Sequence, residues 1–249
     1  MVTGVTRRVA VVTGASRGIG LAEAEALVSR GYHVVTCSRS PAAVPGGVHV
    51  AADLGCSDGA RALAEEVRSR YARLDVLVNN AGGSRPFAKR LLETADADWR
   101  GMMAANLDST FYCIRELAPL MIDSGGGFIV NTSSVHGLTG GRVRLGAYAA
   151  AKAALIALTK AAARELGPRG VTVFAIAPGL VDTENLREGM GGLVDELGRQ
   201  TPVGRPARPQ EIAEVVASLV DTQARPLNGA VIEISGGKGD VYVRPSERD

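Results

Sequence analysis

The stretch Val9-Ala10-Val11-Val12-Thr13-Gly14-Ala15-Ser16-Arg17-Gly18-Ile19-Gly20 decides how the rest of the chain is read. A strand-like run from Arg8 to Thr13 breaks into three glycines and leads into an amphipathic run from Ile19 to Arg30, closed by Gly31. That is a strand, a tight turn and a helix. Glycines let the backbone turn sharply and approach a pyrophosphate, and a helix N-terminus offers free N–H groups and a positive dipole end. Gly14, Ser16, Arg17, Gly18, Ile19 and Gly20 are therefore candidate dinucleotide contacts. The spacing is GxxxGxG rather than GxGxxG, and such a turn also serves as a plain strand-to-helix connection.

Outward from this unit the pattern repeats. Further strands are expected at His33–Cys37, Val48–Ala52, Val76–Asn79, Phe128–Thr132, Val171–Ile176 and Ala230–Ile234. Helices are expected at Asp58–Tyr71, Asp98–Asp123, Tyr148–Leu166, ended by Gly167 and Pro168, and Gln210–Asp221 after Pro209. Strands alternating with helices predict an α/β, doubly wound, Rossmann-type sheet of seven parallel strands with helices on both faces. Ser40 to Gly47, with two prolines and two glycines, reads as a loop. With 249 residues and no repeat or Pro/Ser-rich linker, one domain spanning 1–249 is expected.

Composition is that of a globular protein, 46% hydrophobic and 22% charged, with 28 basic against 26 acidic residues. No block of like charge marks a nucleic-acid arm. Cys37, Cys56 and Cys113 form neither a disulfide framework nor a zinc knuckle, and read as reduced core thiols. Nothing calls for a metal. Met1 to Arg8 has no apolar leader and no segment nears bilayer-spanning length, so a cytoplasmic protein without membrane partners is expected.

The end of the second strand bears on the cofactor. An NAD site usually carries an acidic side chain about twenty residues beyond the glycines for the ribose 2′-OH. Here Ser38 and Arg39 stand instead, and Arg39 with Arg17 could donate to a 2′-phosphate, which points to NADP(H). Arg39 as a solvated loop charge is the alternative. Asp53, at the end of the third strand, would face the adenine.

Tyr148 and Lys152 are four apart at the start of a helix and so share one face. A phenol of ordinary pKa about 10 becomes a useful proton donor and acceptor if a neighbouring ammonium stabilises its phenolate. Five tyrosines and only four lysines make the pairing suggestive without deciding it.

The order of further motifs adds to this. TGASRGIG at Thr13–Gly20 is followed by Asp53-Leu54, Asn79-Asn80-Ala81-Gly82, Asn106-Leu107, Ser133-Ser134, Tyr148-x-x-x-Lys152, Pro178-Gly179 through Thr183, and Asn228-Gly229. From about Val9 to Gly237 the chain resembles the short-chain dehydrogenase/reductase family in its short single-domain branch, and is similar to 3-oxoacyl carrier protein reductases. The resemblance implies a catalytic set of Asn106, Ser134, Tyr148 and Lys152. Tyr148 would move the proton, Lys152 would hold the nicotinamide ribose, Ser134 would bind the substrate oxygen and Asn106 would bind a water. Ser134 is preferred to Ser133 because relatives commonly have a shorter interval to the tyrosine. The resemblance also places Leu54, Asn80, Ala81, Gly82, Pro178, Gly179, Val181 and Thr183 along the cofactor.

Glu184 to Arg199, glycine-rich among Leu186, Met190 and Leu193, reads as a substrate lid over about 184–200, or a plain helical excursion. Arg85, Lys89, Arg90, Arg142 and Arg144 are expected near the mouth, where they would attract an anionic substrate. Phe128 stands where carrier-protein reductases often have a basic docking residue, whereas Arg169 keeps the charge of the second such region. The expected activity is hydride transfer between NADP(H) and a small ketone or secondary alcohol. Alternatives are a 3-oxoacyl-thioester reductase and a non-enzymatic NADP(H)-binding regulator; an epimerase or dehydratase usually has a longer C-terminal domain. A homotetramer is expected, a dimer second, with a C-terminal tail over 238–249.

Overall fold

The computed structural model describes residues 7–41, 44–85 and 87–237. Seven strands form one sheet: β1 (Val9–Thr13), β2 (His33–Ser38), β3 (Val48–Ala51), β4 (Val76–Asn79), β5 (Gly127–Thr132), β6 (Val171–Pro178) and β7 (Val231–Ile234). All pair in parallel, in the order β3-β2-β1-β4-β5-β6-β7. Strands β1, β4, β5 and β6 are buried along their whole length. A strand covered on both faces gains nothing from alternation, which is why these segments read as continuous apolar runs.

The helices are α1 (Gly18–Ser29), α2 (Ser57–Tyr71), α3 (Asp96–Met103), α4 (Ser109–Asp123), α5 (Val135–Thr139), α6 (Gly146–Leu166), α7 (Glu184–Met190), α8 (Leu193–Arg199) and α9 (Pro209–Asp221). Helices α1 and α9 pack one face of the sheet, around Leu27, Phe174, Ile212 and Val216. Helices α2, α4 and α6 pack the other, around Leu63, Leu117, Met121 and Ala162. The doubly wound architecture is thus the one expected, and the loop between β2 and β3 contains no helix among the described residues. The expected tail over 238–249 lies outside the described residues.

Three expectations need correction. The single helix over 98–123 is α3 and α4 joined by a π-helical turn, Ala104–Asp108. Cys37 and Cys113 are buried, but Cys56 is exposed, because it sits in the turn before α2, where its thiol donates to the Asp53 carbonyl. Of the five basic residues expected near the mouth, Arg85 and Arg142 both reach α7, at the Asn185 carbonyl and the Met190 sulfur, each at 3.4 Å, whereas Lys89 pairs with Asp98 at 3.1 Å.

A buried polar ladder fixes α6 against the sheet. Asn79 on β4 donates to Asn131 on β5 at 2.9 Å, and Asn131 donates to Thr159 on α6 at 2.9 Å. Each buried amide is held in one orientation because an unmade bond there costs about 1–3 kcal/mol. The helix carrying Tyr148 and Lys152 is therefore set in register with the strand ends. Among the described residues no helix is long and apolar enough to cross a membrane.

Candidate active site

The chain runs outward from β1 to β3 and returns to β4 beside β1, so the strand order reverses between β1 and β4. Ligands of open α/β sheets bind outside the carboxyl ends of the strands at such a point. A cleft of about 300 Å³ opens there, lined by Ile19 of α1 and by residues that follow β4, β5, β6 and β7.

The glycine turn forms its cofactor end. Gly14 and Gly18 have φ of +66° and +60°, which only glycine adopts without strain. A Cβ on Gly14 would stand 2.7 Å from the Ala81 Cα. Asn80 ties the turn to the end of β4: its amide donates to the carbonyls of Thr13 and Gly14, both at 3.2 Å. Thr13 completes the joint by accepting from the backbone of Asn80 and Ala81 at 3.0 and 3.1 Å. Among the described residues no side chain caps α1, so its first N–H groups remain for an anion. A close backbone approach and an uncapped helix end fit a dinucleotide pyrophosphate.

Ser38 and Arg39 follow directly at the end of β2, with the Arg39 side chain exposed. Arg17 pairs with Glu188 at 3.2 Å and with the Asn185 side chain at 3.3 Å, both on α7. This exposed pair is weak and leaves Arg17 available to a phosphate. Asp53 is exposed and accepts from the Gly55 N–H at 3.0 Å, whereas the Leu54 side chain belongs to the core. Pro178, Gly179, Val181 and Thr183 line the cleft after β6. Thr183 also caps α7 and packs its methyl 3.3 Å from where a Gly18 Cβ would stand.

The four residues expected at the reacting centre come together from separate elements. Ser134 follows β5, Tyr148 and Lys152 lie on α6, and all three line the cleft. Lys152 is 3% exposed and donates to the Thr132 carbonyl at 2.8 Å. Asn106, in the π-helical turn, is fully buried; its side chain accepts from Gly83 N–H and donates to Gly83 O, both at 2.9 Å. It thereby fixes the loop after β4 beside Lys152, because a Cβ on Gly82 would lie 2.6 Å from Asn106 Oδ1 and 3.3 Å from Lys152 Nζ. Gly82→Ala is accordingly expected to lower kcat/KM at least tenfold while the protein still folds, since φ is +150° there and the methyl displaces Asn106. Steady-state kinetics beside a thermal melt checks this.

Ser133 and Ser134 divide their work. Ser133 donates to the Lys152 carbonyl at 2.9 Å and is structural. Ser134 approaches the Tyr148 phenol and pulls its pKa down, against a larger upward push from burial, leaving it at about 12. The spacing argument expected Lys152 to lower the phenol. Its Nζ, held on Thr132, is instead 5.7 Å from the ring centroid, and burial lowers the ammonium itself to about 8.

Sequence reasoning missed His136. It lines the cleft two residues after Ser134, stands edge-on to Tyr148 at 6.2 Å between ring centroids, and has an enclosed Nδ1 without a partner among the described residues. Its nearness to Ser134, in a chain with three histidines, was the available signal. Of the five basic residues expected at the mouth, Arg142 alone lines the cleft among the described residues. Phe128, considered for carrier docking, is buried in β5 under the Arg225 guanidinium.

A family model described as enoyl-(acyl carrier protein) reductase matches residues 14–238. The chain belongs to the short-chain dehydrogenase/reductase family. It is 36% identical over 240 residues to a 3-oxoacyl-[acyl-carrier-protein] reductase of Staphylococcus aureus, covering 92% of this chain and 96% of the relative. The corresponding reductase of Salmonella typhimurium is 36% identical over 241 residues, again with 92% and 96% covered. Among solved structures, ligand-free aldohexose dehydrogenase of Thermoplasma acidophilum superposes with a TM-score of 0.88 at 30% identity, covering 96% of this chain and 97% of the other. This short-chain dehydrogenase/reductase is therefore an oxidoreductase that works with a nicotinamide cofactor.

Proposed function

We propose that the chain is an NADP(H)-dependent ketoreductase that interconverts a ketone and a secondary alcohol, with Tyr148 as general acid and base. The observation that carries this reading is the convergence of Ser134, Tyr148 and Lys152 on one cleft at the switch point of the sheet. When bound, the nicotinamide supplies or accepts the hydride. Tyr148, protonated at neutral pH, gives its proton to the carbonyl oxygen, and Ser134 donates a hydrogen bond to the same oxygen as charge develops there. Lys152 holds the nicotinamide ribose, and Asn106 keeps the adjoining loop in place and binds the water that links Lys152 to solvent. Gly14, Ser16, Arg17, Gly18, Ile19 and Gly20 cradle the pyrophosphate, and Asp53 and Ala81 face the adenosine. Arg39, with Ser38 beside it, takes the 2′-phosphate with Arg17.

A panel of ketones and alcohols assayed with NADPH and NADH tests this. Turnover with NADPH is expected to exceed that with NADH, and Arg39→Ala is expected to narrow the ratio by about tenfold, the worth of one charge-assisted contact. An NADH preference indifferent to Arg39→Ala sinks the NADP(H) assignment. Cofactor binding without any turnover favours the regulator instead. A 3-oxoacyl-thioester reductase is the second reading, favoured by the names of the relatives. The proposed assembly in the cytoplasm is a homotetramer, a dimer second, with Phe111 of α4, 43% exposed, on a contacting face.

A further inference from the structure

We propose that Glu188 is a selectivity residue for the cofactor: it holds Arg17 on the lid helix α7, and a 2′-phosphate must take Arg17 from it, so NADP(H) loosens the lid and NAD(H) does not. This deepens the NADP(H) reading above and rests on it. Arg17 stands in the glycine turn, at the N-cap of α1. Its guanidinium reaches from the cofactor cradle to α7, where it meets the Glu188 carboxylate at 3.2 Å and the Asn185 side chain at 3.3 Å. One side chain thus answers to two partners, the lid and the phosphate.

Helix α7 depends on contacts of this kind. None of its residues from Glu184 to Met190 is buried, so no core packing anchors it, although Leu186 and Met190 line the cleft. Thr183 caps its start, and Arg85, from the loop after β4, donates to the Asn185 carbonyl at 3.4 Å. The cation next to Glu188, Arg187, is engaged with Asp182 and Asp195, so among the described residues the ion pair of Glu188 is with Arg17. The two side chains are 46% and 58% exposed, and an exposed pair yields to a phosphate carrying close to two negative charges. The exchange still costs the strength of the pair, which lowers NADP(H) affinity about two- to fivefold. Coupling between sites is reciprocal, so the cofactor that takes Arg17 weakens lid closure by the same factor. NAD(H) has a neutral hydroxyl at that position, so the pair survives its binding.

The test measures calorimetric affinities of the full chain for NADP⁺ and NAD⁺ at low ionic strength, in wild type, Glu188→Gln, Arg17→Gln and the double variant. Glu188→Gln is expected to tighten NADP⁺ about two- to fivefold and to leave NAD⁺ unchanged, and the gain should vanish in the Arg17→Gln background. Amide hydrogen exchange over residues 184–190 supplies a second readout. Exchange in wild type should be about two- to fivefold faster with saturating NADP⁺ than with saturating NAD⁺, and equal with both in Glu188→Gln. NADP⁺ affinity that falls with Arg17→Gln but ignores Glu188→Gln overturns the proposal and leaves the NADP(H) reading standing. A gain that persists without Arg17 also overturns it, because Glu188 then acts by bare repulsion of the phosphate. Lid exchange no faster with NADP⁺ than with NAD⁺ does the same. NADP⁺ bound no tighter than NAD⁺, with Arg17→Gln without effect on either, defeats the NADP(H) reading and the proposal with it.

Discussion

Tyr148→Phe is expected to lower kcat for ketone reduction by about 10²- to 10⁴-fold, the range that positioned general acid catalysis supplies. The substitution removes one oxygen and keeps the ring, which packs against Met102, Ala147 and Ala151 and meets the His136 edge. Loss of activity therefore comes without loss of the fold, and a melt run beside the assay should show the two proteins within a few degrees. The pH dependence follows from a phenol pushed up to about 12 by burial. The protonated form that reduction needs predominates from pH 6 to 9, so reduction does not vary with the titration of Tyr148 there. Oxidation needs the phenolate, whose fraction grows about tenfold per pH unit below the pKa, so the oxidation rate should climb across the same range. An oxidation profile that stays flat from pH 7 to 9 removes Tyr148 as the base.

How much of this was legible in the sequence depended on how local each feature is. Strands β1 and β4 to β6 announce themselves because burial on both faces selects uninterrupted apolar residues. The glycine turn is equally local, and its two positive φ angles follow from steric rules. Helix α6 begins two residues earlier than expected, at Gly146, because glycine gives no local signal for a helix start there. The π-helical turn at Asn106 was not legible: one extra residue in a turn leaves the apolar pattern on either side unchanged. Ser134, Tyr148 and Lys152, singled out from the sequence, line one cleft, with Asn106 buried behind the loop beside Lys152, but the electrostatics of the group were not legible. The direction of the Lys152 ammonium depends on the Thr132 carbonyl, twenty residues away, and no spacing rule contains it. Arg142 and His136 fall in the loop between Ser134 and Tyr148, where sequence marks position in the chain without saying which side chains turn inward.

Glu23→Met is expected to stabilise the protein, and by more as the pH rises from 5 to 8. Glu23 lies in α1 between Ala22 and Ala24, fully buried, and neither carboxylate oxygen has a partner among the described residues. Burial raises its pKa from 4.5 to about 8. An acid raised in the folded state contributes its full stability below the unfolded pKa and loses it as pH climbs to the folded value. Across that window the loss is on the order of 4 kcal/mol. Methionine matches the length of glutamate, is uncharged and fills an irregular apolar site, so it removes the dependence without opening a cavity. Two other buried groups act in neighbouring windows. His136, lowered to about 4, makes stability rise with pH up to its ordinary 6.5, which offsets Glu23 there. Lys152, lowered from 10.5 to about 8, makes stability rise again above pH 8. Between pH 5 and 8 wild type should therefore be least stable near pH 8, and the difference between wild type and Glu23→Met, in which His136 and Lys152 cancel, isolates the carboxyl. That difference should be small at pH 5 and reach roughly 5–10 °C in melting temperature at pH 8, by the usual scaling for a chain of this size. Parallel melting curves from pH 5 to 8 would instead mean that Glu23 reaches solvent or a partner and is charged throughout.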